Sequence, residues 1–211
     1  MKYLYKYILP DVDWKINVPK NCVKMSIRLI GGGGSASFDG NNIIGGSSGG
    51  EVVAKFNSPS VNDDIIVRLG LGGPFQITSD NNVIRPNSGQ HSTLTVKGDL
   101  IAVAGGSVYG LGGGTDTIEN KYCWFKAFHG EDGSGNKRGQ TLTNWYEDDG
   151  YETMRGNNCY FADSYVQGDA GSLADADGKQ GDGGMGKEFS NGARYLGAGG
   201  HGYCLVWTET I

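Results

Sequence analysis

Clustered glycine constrains this chain more than any other feature. Gly31-Gly32-Gly33-Gly34 is an unbroken run, Gly45-Gly46-Ser47-Ser48-Gly49-Gly50 follows it, and residues 105–114 and 168–202 are dense in glycine again. Glycine makes up 38 of 211 residues, where an ordinary share is about 7%. Ordering a glycine costs more backbone entropy than ordering any other residue and returns no side-chain burial. A folded chain that keeps such runs must gain elsewhere. Flexible Gly/Ser linkers join domains, whereas these runs recur along one domain's length and begin or end at strands. Main chains that lack Cβ atoms can instead pack side by side as extended or polyproline II segments, through N–H···O and Cα–H···O contacts. The runs therefore predict packed main chain.

Collagen requires glycine at every third position and abundant proline; the glycines here are clustered, and all five prolines precede residue 87. Disorder requires few apolar residues and high net charge. This chain has 10% aromatics and a net charge of −5, so it is expected to fold, as one domain over 1–211. No apolar run approaches the ~20 residues of a spanning helix, and the first residues lack a signal-peptide core. No membrane insertion is expected. An acidic chain without a Lys/Arg stripe is not expected to bind nucleic acid. Cys22, Cys123, Cys159 and Cys204 form no C-x-x-C pair, and both disulfides and buried thiols stay open.

Val23, Met25, Ile27 and Leu29 alternate with polar residues, which predicts a half-buried strand running into the first glycine cluster. Short apolar runs at 51–56, 65–69, 92–96, 100–104 and 203–207 are bounded by turn residues, and none shows helical periodicity. The fold class read from this pattern is all-β: a β-sandwich-like domain with packed glycine-rich, polyproline II-like segments. Residues 115–167 hold few glycines, many rings, and nine acids against five bases. They read as a loop insertion, with Trp124, Phe125, Phe128 and Phe161 as the candidates for a small core of its own. Around its turn, Trp145, Tyr146, Asp148, Asp149, Tyr151, Glu152 and Arg155 form the candidate ligand-binding group. Ring faces stack on sugars and carboxylates accept hydroxyl hydrogen bonds, and the same mixture suits a protein interface.

Other motifs carry less. Gly181 to Lys187 has phosphate-loop spacing, but Glu188 stands where Ser or Thr should bind magnesium. Gly45 to Gly49 reads G-x-S-x-G, yet the chain continues into a strand, not a helix. Asp175-Ala176-Asp177-Gly178 is out of frame for a calcium hand, and Asp175, Asp177 and Asp182, or Asp132 with Asn136, are the candidates for a looser oxygen site, the alternative being solvated turn residues. The expectation is no catalytic residue, no metal and no cofactor.

The segments WKINVPKNCVKMSIRLIGGGG, GGSSGGEVVAKFNSPSVNDDIIVRLGLGG, HSTLTVKGDLIAVAGG and GARYLGAGGHGYCLVWTE occur in that order. Together they resemble the glycine-rich domain of phage tail-fibre tip adhesins, which is also found on bacterial surface fibres. The resemblance implies receptor recognition by loops between glycine segments, on a homotrimer or as a cap on a trimeric shaft. The expected ligand is a bacterial cell-surface glycan or an outer-membrane protein, and the expected place a virion fibre tip or the bacterial surface. A structural capping module and a polysaccharide-degrading enzyme are the rival readings.

Overall fold

The computed structural model describes residues 1–130, 132–133, 137–139, 161–163, 165–167 and 181–211. The architecture is all-β, with no helix among the described residues. One five-stranded antiparallel sheet has the order β1 (Lys2–Tyr7), β18 (Tyr203–Thr210), β3 (Cys22–Ile30), β6 (Glu51–Asn57), β12 (Cys123–Phe128). The other is ordered β11 (Thr115–Thr117), β10 (Asp99–Ala104), β9 (Ser92–Val96), β7 (Ile65–Arg68), β2 (Asp13–Lys15). Smaller pairings join β4 (Ser37–Phe38) to β5 (Ile43–Ile44) and β13 (Lys137–Gly139) to β14 (Phe161–Asp163). A four-stranded sheet links β15 (Tyr165–Gln167), β16 (Gly186–Glu188), β17 (Arg194–Leu196) and β8 (Gln76–Thr78).

The core lies between the two large sheets. Met25, Ile27 and Leu29 of β3, Val52, Ala54 and Phe56 of β6, and Val206 of β18 meet Ile65, Val67, Leu94 and Val96 from the opposite sheet. Bulges shift the alternation in two places. The β18–β3 register skips Val23, so Cys22 enters the core and Val23 is only half-buried. A second register shift between Leu100 and Ala102 turns both Ile101 and Ala102 inward.

Residues 115–130 are not a separate insertion. β11 pairs with β10 and β12 with β6, making them edge strands of the two large sheets. Phe125 packs on the main core and Trp124 is exposed, so these residues do not build a satellite core; the side chain of Phe161 lies outside the described residues.

Past the end of the sandwich the main chain forms a second kind of core. The N–H groups of residues 31–36 are donated in rotation to three neighbours: Gly31 to Gly50 O, Gly32 to Gln90 O, Gly33 to Gly200 O, then Gly34 to Ser47 O, Ser35 to Asn87 O and Ala36 to Gly197 O, at 2.8–3.0 Å. Residues three apart serve the same neighbour. That is the signature of a helix with three residues per turn. The carbonyls are used likewise, Ser107 donating to Gly32 O, Gly73 to Gly33 O and Gly184 to Gly34 O. One segment is thus ringed by six others. Each bond contributes only about 0.5–1.5 kcal/mol net, but a buried N–H left unmade costs about 1–3 kcal/mol, so the lattice satisfies main chain that is too tightly packed for water.

The glycines are required by distance. A Cβ on Gly31 would lie 2.2 Å from Gly105 O, and one on Gly32 2.2 Å from Leu71 O. The lattice extends to Gly113, whose N–H reaches Ser48 O, and to Gly130, whose N–H reaches Gly113 O. Gly133 sits against Gly45. The lattice thus reaches at least as far as Gly133.

The thiols of Cys22, Cys123 and Cys204 are free, and Cys159 lies outside the described residues. Burial pushes the Cys123 thiol up to about 12, and raises Cys22 and the fully buried Cys204 as well. Since the thiolate is the reactive form, iodoacetamide at neutral pH is expected to leave Cys204 unmodified in the native chain. Cys123 should react about 1000-fold more slowly than a free thiol and Cys22 also more slowly, and all three readily after unfolding. Peptide mapping by mass spectrometry checks this; fast native alkylation of Cys204 contradicts it.

Candidate functional site

Among the described residues, the glycine segments that leave β3, β7 and β10 each return to the sandwich after a loop. Gly31 bonds to Gly50 and Gly34 to Ser47, so 31–36 leads out from β3, 45–50 leads back to β6, and loop 37–44 lies at the far end. By the same logic loops 74–86, 108–111 and 186–196 join glycine segments at that end. Contacts confirm the gathering. Phe38 bridges to Ile84, β17 pairs with β8, and the Tyr109 N–H donates to Ser88 Oγ at 3.2 Å. Ala36, Phe38, Ile43 and Leu196, with Ile84 against them, form a small apolar core beneath the loops.

Local chemistry stiffens each loop. The Asn41 and Asn42 N–H groups both donate to Asp39 Oδ1, at 2.8 and 2.7 Å, and these bonds hold the Asp39 carboxyl below the usual carboxylate range. Tyr109 and Gly110 have φ of 49° and 88°, and Val108 and Leu111 exchange both backbone hydrogen bonds; two positive φ values in a two-residue turn match the twist of a hairpin. The Arg194 guanidinium lies 4.2 Å from the centre of the Phe38 ring, donates to Asp80 O and Asn81 Oδ1 at 3.2 Å, and pairs with Glu188 at 3.3 Å. It ties three loops together. Phe75 stacks on Tyr195 at 5.3 Å.

On this rigid base, large apolar side chains face solvent. Phe75, Ile77, Val83, Val108, Tyr109 and Leu111 are all at least half exposed, with Tyr109 at 72%. Single exposed apolar residues need no explanation, but a concentration of them at one end of a molecule marks an interaction surface.

The lattice and its loops fall within one family pattern. A family model described as glycine-rich domain matches residues 11–210. The chain belongs to this family. No curated protein matches it significantly. Within the glycine-rich domain, the residues singled out by sequence fall in three groups. Trp145, Tyr146, Asp148, Asp149, Tyr151, Glu152 and Arg155 lie outside the described residues, as do Asn136, Asp175 and Asp177. Ser47 and Gly181 are lattice residues: Ser47 is fully buried, and Gly181 O accepts the Gly49 N–H. Asp132 and Asp182 serve main chain, Asp132 Oδ1 accepting from Gly112 N at 2.6 Å and Asp182 O from Gly200 N at 2.8 Å. Among the described residues no three His, Cys, Asp or Glu side chains are placed to hold a metal. His201 Nδ1 accepts the Gly72 N–H at 2.9 Å, a lattice role.

Sequence reasoning passed over the loop residues Tyr109, Leu111, Phe75 and Ile77. The signal for the first pair was present, since an aromatic followed by glycine between Val and Leu suits a hairpin turn.

Proposed function

We propose that this glycine-rich domain is an adhesin at the tip of a fibre, either a phage tail fibre or a bacterial surface fibre, and that its loop end binds a bacterial surface glycan or outer-membrane protein without covalent chemistry. One observation carries the reading: a rigid main-chain lattice delivers loops distant in sequence to a single end, where their apolar side chains are exposed. Lys2 pairs with Glu209 at the opposite end of the first sheet, so a trimeric shaft joined there leaves the loop end free. Several weak contacts per tip become strong when copies are linked.

The test is adhesion of fluorescently labelled domain to a panel of bacterial cells. Tyr109→Ala with Leu111→Ser is expected to weaken binding at least ~30-fold, the effect of losing about 2 kcal/mol of contact, without lowering the melting temperature. Loss after protease treatment of the cells identifies a protein receptor, and loss after periodate a carbohydrate one. Unchanged adhesion of that double variant and of Trp145→Ala with Tyr151→Ala favours the structural capping role instead.

A further inference from the structure

The first sheet is open along one side. β1 is its outermost strand, and among the described residues no strand pairs with the other side of β1. Its residues are exposed from Lys2 to Lys6, and Ile8 and Leu9 just beyond it are 55% and 56% exposed. Edge strands are ordinarily blunted by being short, by proline or by a bulge; β1 runs for six residues in unbroken register against β18 and contains no proline. Its lysines lie back over their own sheet, with Lys6 Nζ 5.9 Å from the centre of the Tyr203 ring and Lys2 Nζ 5.7 Å from that of Trp207.

The pairing with β18 fixes which main-chain groups the edge presents. The Met1 N-terminus donates to Thr210 O and the Thr210 N–H to Met1 O, and such closely spaced pairs recur at every second residue of an antiparallel ladder. Tyr3, Tyr5 and Tyr7 therefore bond to Thr208, Val206 and Cys204, while the N–H and C=O groups of Leu4 and Lys6 point off the sheet. The three rings share the face opposite Leu4: Tyr3 stacks on Tyr5 at 6.5 Å, and Tyr7 packs against the core.

We propose that β1 pairs antiparallel with β1 of a second copy of this chain, about a two-fold axis at Tyr5. Two such edges can bond only when an even-numbered residue of one faces an even-numbered residue of the other, which leaves two registers that use most of the strand. Centring the axis on Leu4 sets Lys2 opposite Lys6 twice, and like charges directly opposite destabilise a pair. Centring it on Tyr5 sets Lys6 opposite Leu4 and Lys2 opposite Ile8, while Tyr5 faces Tyr5 and Tyr3 faces Tyr7. Each lysine then meets an aliphatic side chain, and rings meet rings across the strands. The strand is thus its own complement, which singles out a second copy as the occupant. One strand pair is a small interface, below about 1,200 Å2, so the isolated chain associates weakly and linked copies more strongly. A two-fold contact joins two chains, which suits neighbouring tips and not the three copies of one shaft. The edge is on the flank of the sandwich, away from the loop end, so this assignment stands independently of adhesion there.

The experiment is sedimentation velocity of the full chain from about 5 to about 500 µM, a range that spans the Kd of about 50 µM expected of so small an interface. The sedimentation coefficient should rise from that of a monomer to that of a dimer. Leu4→Pro removes a donor that points off the sheet, and proline is tolerated where an edge N–H faces outward, so Kd should rise at least about tenfold with the urea midpoint unchanged. Disulfide trapping in air reads the axis. Tyr5→Cys sets two thiols at a non-hydrogen-bonded pair, whose Cα separation of about 4.5 Å suits a disulfide, and should cross-link at least about tenfold faster than Leu4→Cys, whose copies stand out of register. A purely monomeric chain at about 500 µM, undiminished association of Leu4→Pro, or trapping of Leu4→Cys as fast as that of Tyr5→Cys overturns the proposal.

Discussion

Gly33→Ala is expected to lower stability by more than about 3 kcal/mol, above the usual cost of overpacking, or to prevent folding. The added Cβ would lie 2.0 Å from Asp182 O and 2.7 Å from Gly181 O. Both are main-chain atoms held by hydrogen bonds, so no side chain can rotate aside. Gly34→Ala provides the contrast, because its nearest neighbour is the Ser107 hydroxyl at 2.3 Å, with backbone no closer than Asn87 O at 3.3 Å. Ser107→Ala removes the hydroxyl. The double change should recover most of the loss, whereas no second substitution recovers Gly33→Ala. Gly98 separates crowding from backbone strain: nothing lies within 4 Å of its Cβ position, but φ is +88°, so Gly98→Ala should cost only about 1–2 kcal/mol. Urea unfolding measures all four. Equal effects at Gly33 and Gly98 contradict a close-packed lattice.

Arg28→Met is expected to cost about 3–5 kcal/mol, the typical effect of breaking a buried ion pair from one side. Arg28 Nε and Nη2 donate to Glu51 Oε1 and Oε2 at 2.7 and 2.9 Å, and the two side chains are 1% and 5% exposed. The guanidinium also lies 5.9 Å from the centre of the Tyr203 ring, whose hydroxyl burial pushes up to about 12. Arg28→Met leaves a buried carboxylate facing hydrocarbon. Arg28→Met with Glu51→Leu removes both charges, and its stability should return to within about 1 kcal/mol of the original, since apolar pairs of similar volume often replace buried ion pairs without loss. Chemical denaturation of the two single variants and the double one forms a cycle. A double variant as unstable as the worse single one rules out this account.

The strands at 51–56, 65–69, 92–96 and 203–207 were legible because a period of two reflects a residue's relation to its own chain. The bulge that replaces Val23 by Cys22 was hidden, since inserting a residue in register requires a partner strand, here β18. β12 was assigned to an insertion for a similar reason. Its sequence, Cys-Trp-Phe-Lys-Ala-Phe, has too little contrast between its faces to announce an edge strand, and only pairing with β6 places it. Arg28 occupies an outward position in the alternation, where solvent is the ordinary expectation, and its burial against Glu51 is a property of two strands together.

Composition together with the placement of the runs at strand ends predicted that glycine serves as a packing residue, because so much ordering entropy in a folded chain requires main-chain contact in return. What the tertiary structure decided is which main chains touch. The six neighbours of residues 31–36 come from stretches spread between Gly46 and Gly200, and their alignment is imposed by the strands that precede and follow them. Glycine carries no side chain by which one segment could recognise another. Partner choice in the lattice, and with it the meeting of the loops at one end, therefore resides in the sandwich beneath.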